Sequence, residues 1–203
     1  MGRFQFGQQN QKFTLVIIFL LSLQGILGCE NNSLVRLQNI SEIKPLEDEQ
    51  IIEQLNAQQS ALNLCNKENH LLSGDNTTIY QLEDTKYLVQ IICFLGAYQG
   101  SYQFFIYSIN GGNHEINLLD FVTFEDTHNG LSVVETNLLT GYPEFDSDSK
   151  QLTIDRKARG LGDCGSYALY HWESSNFKLT QYRYKGECDG IYLPVEEYPI
   201  IYP

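Results

Sequence analysis

The residue types with the clearest chemical potential lie in one stretch, RKARGLGDCGSYALYH, from Arg156 to His171. Cys164 could act as a nucleophile only with a lowered thiol pKa and a base within hydrogen-bonding reach. His171 follows along a strand-like run, roughly 23 Å away if that run is extended at ~3.3 Å per residue. We therefore expect Cys164 to form a structural disulfide, and we assign no catalytic residue and no enzyme activity.

Glycines surround that cysteine at positions 160, 162 and 165. A phosphate-binding G-x-G-x-x-G loop opens a helix, whereas the following residues SYALYHW are strand-like. Glycines at this density more often supply the backbone freedom of a turn or bulge. Asp163 is expected to accept hydrogen bonds from amides of that turn.

Arg156, Lys157 and Arg159 form a basic cluster beside the glycines. One interpretation is a set of ion pairs with nearby acidic residues. The other is a contact with an anionic or carboxylate ligand. Under the second interpretation these three residues and Asp163 are the candidate ligand contacts.

The charge of the chain excludes one class of partner. Lys and Arg number 13 against 25 Asp and Glu, a formal net charge of −12. Residues 1–28 hold two of the 13 bases and none of the acids, so their removal would leave 11 against 25, or −14. This balance provides no basic surface for nucleic acid. No C-x-x-C occurs, and we predict no cofactor and no metal site.

The N-terminus predicts export and a lipid anchor. An apolar run, FTLVIIFLLSLQGIL, is shorter than a typical membrane span, and its last two residues begin the sequence ILGC at 26–29. ILGC resembles the bacterial lipobox, which implies cleavage after Gly28 and attachment of lipid, including palmitate, to Cys29. An ordinary secretory signal and an uncleaved anchor are the alternatives. We predict a lipoprotein signal peptide over 1–28, a tether over 29–44 and a single mainly-β domain over 45–203.

The remaining cysteines are Cys65, Cys93, Cys164 and Cys188. An even number in an exported chain indicates disulfides. Three pairings are possible, and the sequential one closes two loops that would each contribute roughly 3–4 kcal/mol.

The secondary structure predicted around these residues is mostly β. A helix is predicted from Pro45 to Cys65, since acidic residues follow the proline and an apolar face recurs. Beyond residue 75 the chain reads as short strands, with hairpin turns at 110–112 and 174–175. The predicted fold is mainly β, an antiparallel sandwich or barrel with a short N-terminal helical segment and two disulfides. The aromatic residues of the last predicted hairpin are assigned chiefly to the core, with a sugar- or peptide-binding face as the alternative: Tyr167, Tyr170, Trp172, Phe177, Tyr182 and Tyr184.

Three segments resemble one bacterial family: CFLGAYQGSYQFFIY, KARGLGDCGSYALYHWESSNFKLTQYRYKGECDG and EYPIIYP. The family is domain of unknown function 1176, a set of exported proteins, and the resemblance covers residues from about 65 to 203. Ala158, Gln99 and Tyr198 depart from its usual Gly, Asn and Trp. The resemblance implies export and pairing of Cys164 with Cys188, and it supplies no activity.

The preferred function is a non-catalytic binding or interaction module of the cell envelope. It would be held by its lipid anchor on the periplasmic or outer side of a membrane. The expected ligand is a protein, a peptide or a glycan. The alternative is an inhibitor of an envelope hydrolase such as lysozyme, which is cationic while this chain is acidic. A hydrolase is the third hypothesis.

Overall fold

The computed structural model describes residues 48–66, 71–127 and 130–203. The predicted signal peptide, with Cys29, and the predicted tether lie outside the described residues. The described part is mainly antiparallel β with a short helical segment at its start and two disulfides, which confirms the predicted fold class.

The helical segment packs against the sheet through its apolar face. Helix α1 is described from residue 48 to residue 57, and α2 (Gln59–Leu62) follows after a break at Gln58. Asn63, in the left-handed conformation, ends α2 before a 3-10 turn, η1 (Leu64–Asn66). The predicted helix is thus confirmed as an element, but it is interrupted and ends short of Cys65. Residues 45–47 of the prediction lie outside the described residues.

The strands follow one another in hairpins. Gly111 and Gly112, both with positive φ, connect the strands Gly100–Asn110 and Asn113–Leu118 as the Asn-Gly-Gly sequence predicts. The sequence pattern predicts a single strand over 118–126. In the structure Leu119 and Asp120 belong to no strand and separate two strands. The described residues form eleven strands: β1 (Thr77–Glu83), β2 (Lys86–Leu95), β3 (Gly100–Asn110), β4 (Asn113–Leu118), β5 (Phe121–Thr127), β6 (Gly130–Thr136), β7 (Leu139–Asp146), β8 (Gln151–Lys157), β9 (Gly165–Glu173), β10 (Asn176–Lys185) and β11 (Ile200–Tyr202).

The main sheet has the order β1-β2-β3-β7-β8-β9-β10-β11. β3 is shared, because Gly100–Tyr102 pair with β7 whereas Phe105–Asn110 pair with β4. The sheet curls so that its first strands approach β9, where Trp172 Nε1 donates a hydrogen bond to Glu83 at 2.9 Å. One face of the curled sheet encloses the larger of two hydrophobic clusters.

β2 and β3 are apolar on both faces because each face meets a different layer. Val89 and Phe105 are fully buried beneath the helical segment and contribute to the smaller cluster with Leu55. Leu88 and Phe104 point the other way into the larger cluster. A strand buried on both sides loses the hydrophobic–polar alternation of a half-buried strand.

β5 and β6 form a separate two-stranded hairpin that closes over the larger cluster. Phe121 is fully buried, with its ring centroid 5.2 Å from Tyr170 and 5.5 Å from Phe104. No backbone ladder joins this hairpin to the main sheet in the described part of the chain, so side chains must hold it.

Candidate functional site

The glycine-rich stretch forms a closed loop, residues 158–164, between β8 and β9. The Ala158 amide donates to the Cys164 carbonyl at 3.0 Å, and the Gly162 amide donates to the Arg159 carbonyl at 2.9 Å. Gly162 has a φ of +72°, which favours glycine. A Cβ on Gly165 would lie 2.0 Å from the Arg156 carbonyl oxygen. The predicted turn is confirmed at Gly162, whereas Gly165 is the first residue of β9.

Asp163 holds this loop from inside. Its side chain is 0% exposed, and Oδ1 accepts a hydrogen bond from Arg159 Nε at 2.8 Å. Oδ2 accepts from Arg159 Nη2 and from the Gly190 amide, the latter at 2.7 Å. The Arg159 hydrogen bonds hold the pKa of the Asp163 carboxyl far below its usual range, against the opposing effect of desolvation. The carboxylate therefore ties loop 158–164 to the segment after β10.

A lysine and a disulfide reinforce the same junction. Lys185 Nζ donates to the Asp163 carbonyl at 2.8 Å and to Asp189 Oδ1 at 2.7 Å. Arg159 Nη2 also donates to the Cys188 carbonyl at 2.9 Å. Cys164 and Cys188 are joined by a disulfide, so Cys164 has no thiol with which to attack a substrate.

The second disulfide joins Cys65 to Cys93. Of the three possible pairings the chain thus adopts the sequential one, and the predicted pair of disulfides is confirmed. This bond ties the turn after α2 to β2, within the smaller hydrophobic cluster.

A third segment docks on the loop through Gln99. Its Oε1 accepts from the Lys157 amide at 3.0 Å, and its Nε2 donates to the Lys157 carbonyl at 3.2 Å. The Tyr98 ring lies 3.5 Å from where a Cβ on Gly160 would stand. Sequence reasoning missed the bridging role of Gln99, because a glutamine carries no signal for a partner 58 positions away.

The three segments together present apolar side chains to solvent. We call this region the stapled surface; its exposed members are Phe94, Leu95, Tyr98, Leu161, Ile191 and Tyr192. Leu161 stands at the loop and is 61% exposed. The backbone beneath these side chains is fixed by the Asp163 network, the disulfide and Gln99.

The three residues of the basic cluster have different surroundings in the structure. Arg159 is bound to Asp163, and Lys157 Nζ lies over the Tyr142 ring, 4.9 Å from its centroid. Arg156 is exposed and lines a polar cleft under the β5–β6 hairpin, together with Glu125, Ser166 and Tyr182. Of the four candidate ligand contacts, only Arg159 and Asp163 are brought into mutual contact.

The aromatic stripe belongs mostly to the core, as expected. Tyr170 and Tyr182 are buried and donate hydrogen bonds to the Val122 and Phe124 carbonyls, each at 3.2 Å. Burial raises the pKa of both phenols. These two hydroxyls meet alternate carbonyls of β5 and so fasten the separate hairpin to the main sheet.

Tyr184 is a third tyrosine that binds β5 through its hydroxyl group. Its hydroxyl donates to Asp126 Oδ2 at 2.7 Å. Desolvation, with the Asp126 carboxylate as the second cause, raises the pKa of Tyr184 to about 12.

Residues 48–66, 71–127 and 130–203 contain no group of three or more His, Cys, Asp or Glu side chains that could hold a metal ion. Asp146 is engaged in its own turn, where Oδ1 accepts from the Asp148 amide at 2.8 Å. None of the described helices is long and apolar enough to span a membrane.

The family model for a protein of unknown function, DUF1176, matches residues 31–203. The uncharacterized protein YpfG of Escherichia coli (strain K12) is 33% identical over 67 residues. That match covers 33% of this chain and 19% of the relative, so the chain spans about a fifth of that protein's length. No solved structure matches the chain.

Proposed function

Because the chain belongs to the DUF1176 family, whose description assigns no activity, we propose a function from the site itself: a non-catalytic binding protein that contacts a protein partner through the stapled surface. One observation carries this proposal. Leu161 is exposed at the centre of a loop whose backbone is fixed by a buried Asp163 carboxylate and by the Cys164–Cys188 disulfide.

A fixed loop suits binding for an energetic reason. Association costs free energy for every flexible segment that becomes ordered, at about 0.5–1.5 kcal/mol per rotamer-rich side chain. A loop that is already ordered avoids the backbone part of that cost. Complexes built on such preorganised surfaces show little backbone movement on binding.

Exposed apolar side chains indicate an interaction site when they are contiguous. Scattered single ones are normal on a protein surface, whereas adjoining ones mark interaction sites. Tyr98 and Leu161 come from segments joined by the Gln99 bridge, and Tyr192 follows Gly190, whose amide Asp163 binds. The three parts of the chain that carry the stapled surface are therefore tied to one another.

The compartment follows in part from the cysteines. Two disulfides in the described residues indicate an oxidising, exported environment. We extend this to a cell-envelope location with a lipid on Cys29, which the lipobox-like ILGC supports. The stapled surface would then act at a membrane, on a domain that begins near residue 45 after the signal peptide and tether.

Site-specific photocrosslinking in intact cells tests the function. A benzophenone amino acid replaces Leu161 in one variant and Tyr98 in a second. The matched control carries it at Leu71, which is 73% exposed and belongs to none of the three segments. We expect positions 161 and 98 to capture the same protein, unlabelled chain to compete, and Leu161→Asp to abolish capture from position 98. Equal capture from position 71, or no capture from position 161, would overturn the proposal.

An inhibitor of an envelope hydrolase such as lysozyme is the second candidate. A rigid exposed loop is the form in which many inhibitors meet an enzyme cleft, and the net charge of −12 suits a cationic enzyme. Equimolar full chain should then slow cell-wall lysis by lysozyme, and Leu161→Asp should restore lysis. Undiminished lysis at large excess would remove this candidate.

A further inference from the structure

The β5–β6 hairpin leaves a cleft of about 420 Å³ between itself and β10. We call it the hairpin cleft; it lies on the β10 and β11 side of the hairpin, whereas Arg156 lines a separate polar cleft. Its apolar lining comes from Val122, Phe124, Val133, Phe177, Leu179 and Tyr202. Small-molecule sites typically occupy about 300–1,000 Å³ and are lined in this way.

The apolar side chains of the hairpin cleft are incompletely covered. Phe177 and Leu179 form its floor and belong to the larger hydrophobic cluster. Above them Val133 is 63% exposed and Tyr202 is 39% exposed. A ligand would therefore remove apolar area from water at a gain of about 25 cal/mol per Å².

The rim of the cleft is acidic. Asp120, Glu135 and Glu173 line it, against a single base, Lys178. Lys178 Nζ lies 3.9 Å from a Glu173 carboxylate oxygen. Asp120 and Glu135 form no ion pair with any base in the described parts of the chain.

Aromatic rings add to the attraction for a cation. The rings of Phe124 and Tyr202 lie 6.3 Å apart between centroids, and both line the cleft. The negative face of an aromatic ring attracts a cation within about 6 Å of the ring centroid. Apolar floor, aromatic walls and unpaired carboxylates thus favour one ligand chemistry.

We propose that the hairpin cleft binds a small organic cation, an ammonium group on an apolar body. The apolar body fills the space above Phe177 and Leu179. The ammonium lies toward Glu135 and Asp120. This site is separate from the stapled surface and does not depend on the function proposed for that surface.

Three probes of nearly equal shape test this inference: phenethylamine, phenethyl alcohol and phenylpropionate. Each is titrated into the isolated full chain and followed by nuclear magnetic resonance shifts of Val122, Val133 and Leu179. Trp172 is the only tryptophan of the chain, and its ring centroid lies 5.3 Å from that of Phe177, so its fluorescence gives a second signal. We expect saturable binding that is strongest for the amine and weakest for the carboxylate.

Two charge-neutralising variants localise the effect. Glu135→Gln should weaken phenethylamine binding about two- to fivefold, the range for a partly exposed ion pair, and leave phenethyl alcohol unaffected. Glu144→Gln is the matched control, because Glu144 is exposed on β7 and does not line the cleft. Equal binding of amine and carboxylate, shifts centred elsewhere, no saturable binding of any probe, or equal effects of the two variants would each overturn the inference.

Discussion

Arg159 and Asp163, four residues apart in one loop, share two hydrogen bonds around a carboxylate that solvent does not reach. The same carboxylate accepts the Gly190 amide. The negative charge of Asp163 therefore stabilises the tertiary structure, because it holds loop 158–164 against the segment after β10.

Asp163→Asn should destabilise the fold at neutral pH and loosen both segments. The amide keeps the size of the side chain but loses the charge and one acceptor, so Arg159 and the Gly190 amide cannot both be satisfied. Urea unfolding and amide hydrogen exchange of residues 158–164 and 186–192 measure the two effects. Asp148→Asn, in an exposed turn, is the control and should leave both unchanged.

The contribution of Asp163 should disappear in acid. Its pKa is lower in the folded chain than in the unfolded chain, where an ordinary Asp titrates near 3.9. Above that value both states are ionised and the contribution is complete. As the pH falls below about 4, the unfolded chain takes up a proton that the folded chain does not. The difference in unfolding free energy between the wild type and Asp163→Asn should therefore narrow, and a pH-independent difference would contradict this account.

Cys164→Ser with Cys188→Ser should lower the free energy of unfolding by about 3 kcal/mol, because the bond closes a loop of 24 residues. The paired variant Cys65→Ser with Cys93→Ser should lose a similar amount, since its separation is 28. Thiol quantification in denatured, unreduced protein provides the independent check. More than one free thiol per mature chain would show that a disulfide is missing.

Tyr170→Phe and Tyr182→Phe should each lower stability by about 1 kcal/mol, the usual net value of one hydrogen bond. Each change frees one β5 carbonyl, so hydrogen exchange should rise in β5 and β6 before it rises in β9. Tyr167→Phe is the control, because its hydroxyl makes no hydrogen bond within the described part of the chain. Exchange that rises uniformly across the sheet would argue against a fastening role.

Cys29→Ser should release the chain from the membrane fraction and prevent labelling with radioactive palmitate. The predicted anchor places lipid on the sulfur and on the amino group of Cys29 itself, because a single acyl chain holds a protein at a membrane only weakly. Fractionation with immunoblotting measures the release. Membrane association that persists in the variant would favour an uncleaved N-terminal anchor.

Residue types and their local pattern were sufficient to predict the strands around residues 77–110 and 166–185, the Gly111-Gly112 turn and the structural role of Cys164. Each of these predictions depends on residues that are close in the chain. They are the alternation of apolar and polar residues, the turn residues, and the distance along one strand from Cys164 to His171. The break at Leu119 was not predicted, because the alternating pattern of residues 118–126 continues across it and the change of layer depends on what covers each face.

Composition and short-range periodicity were enough to establish a mainly β, disulfide-bonded chain of acidic charge. The surroundings of each base in the basic cluster depend instead on the tertiary structure. Lys157, Arg159 and Arg156 are neighbours in the chain, yet they contact an aromatic ring, a buried carboxylate and a separate cleft. Tertiary structure likewise brought Gln99 to Lys157 and set β5 against β10, because contacts between residues distant in the chain depend on how the sheet curls.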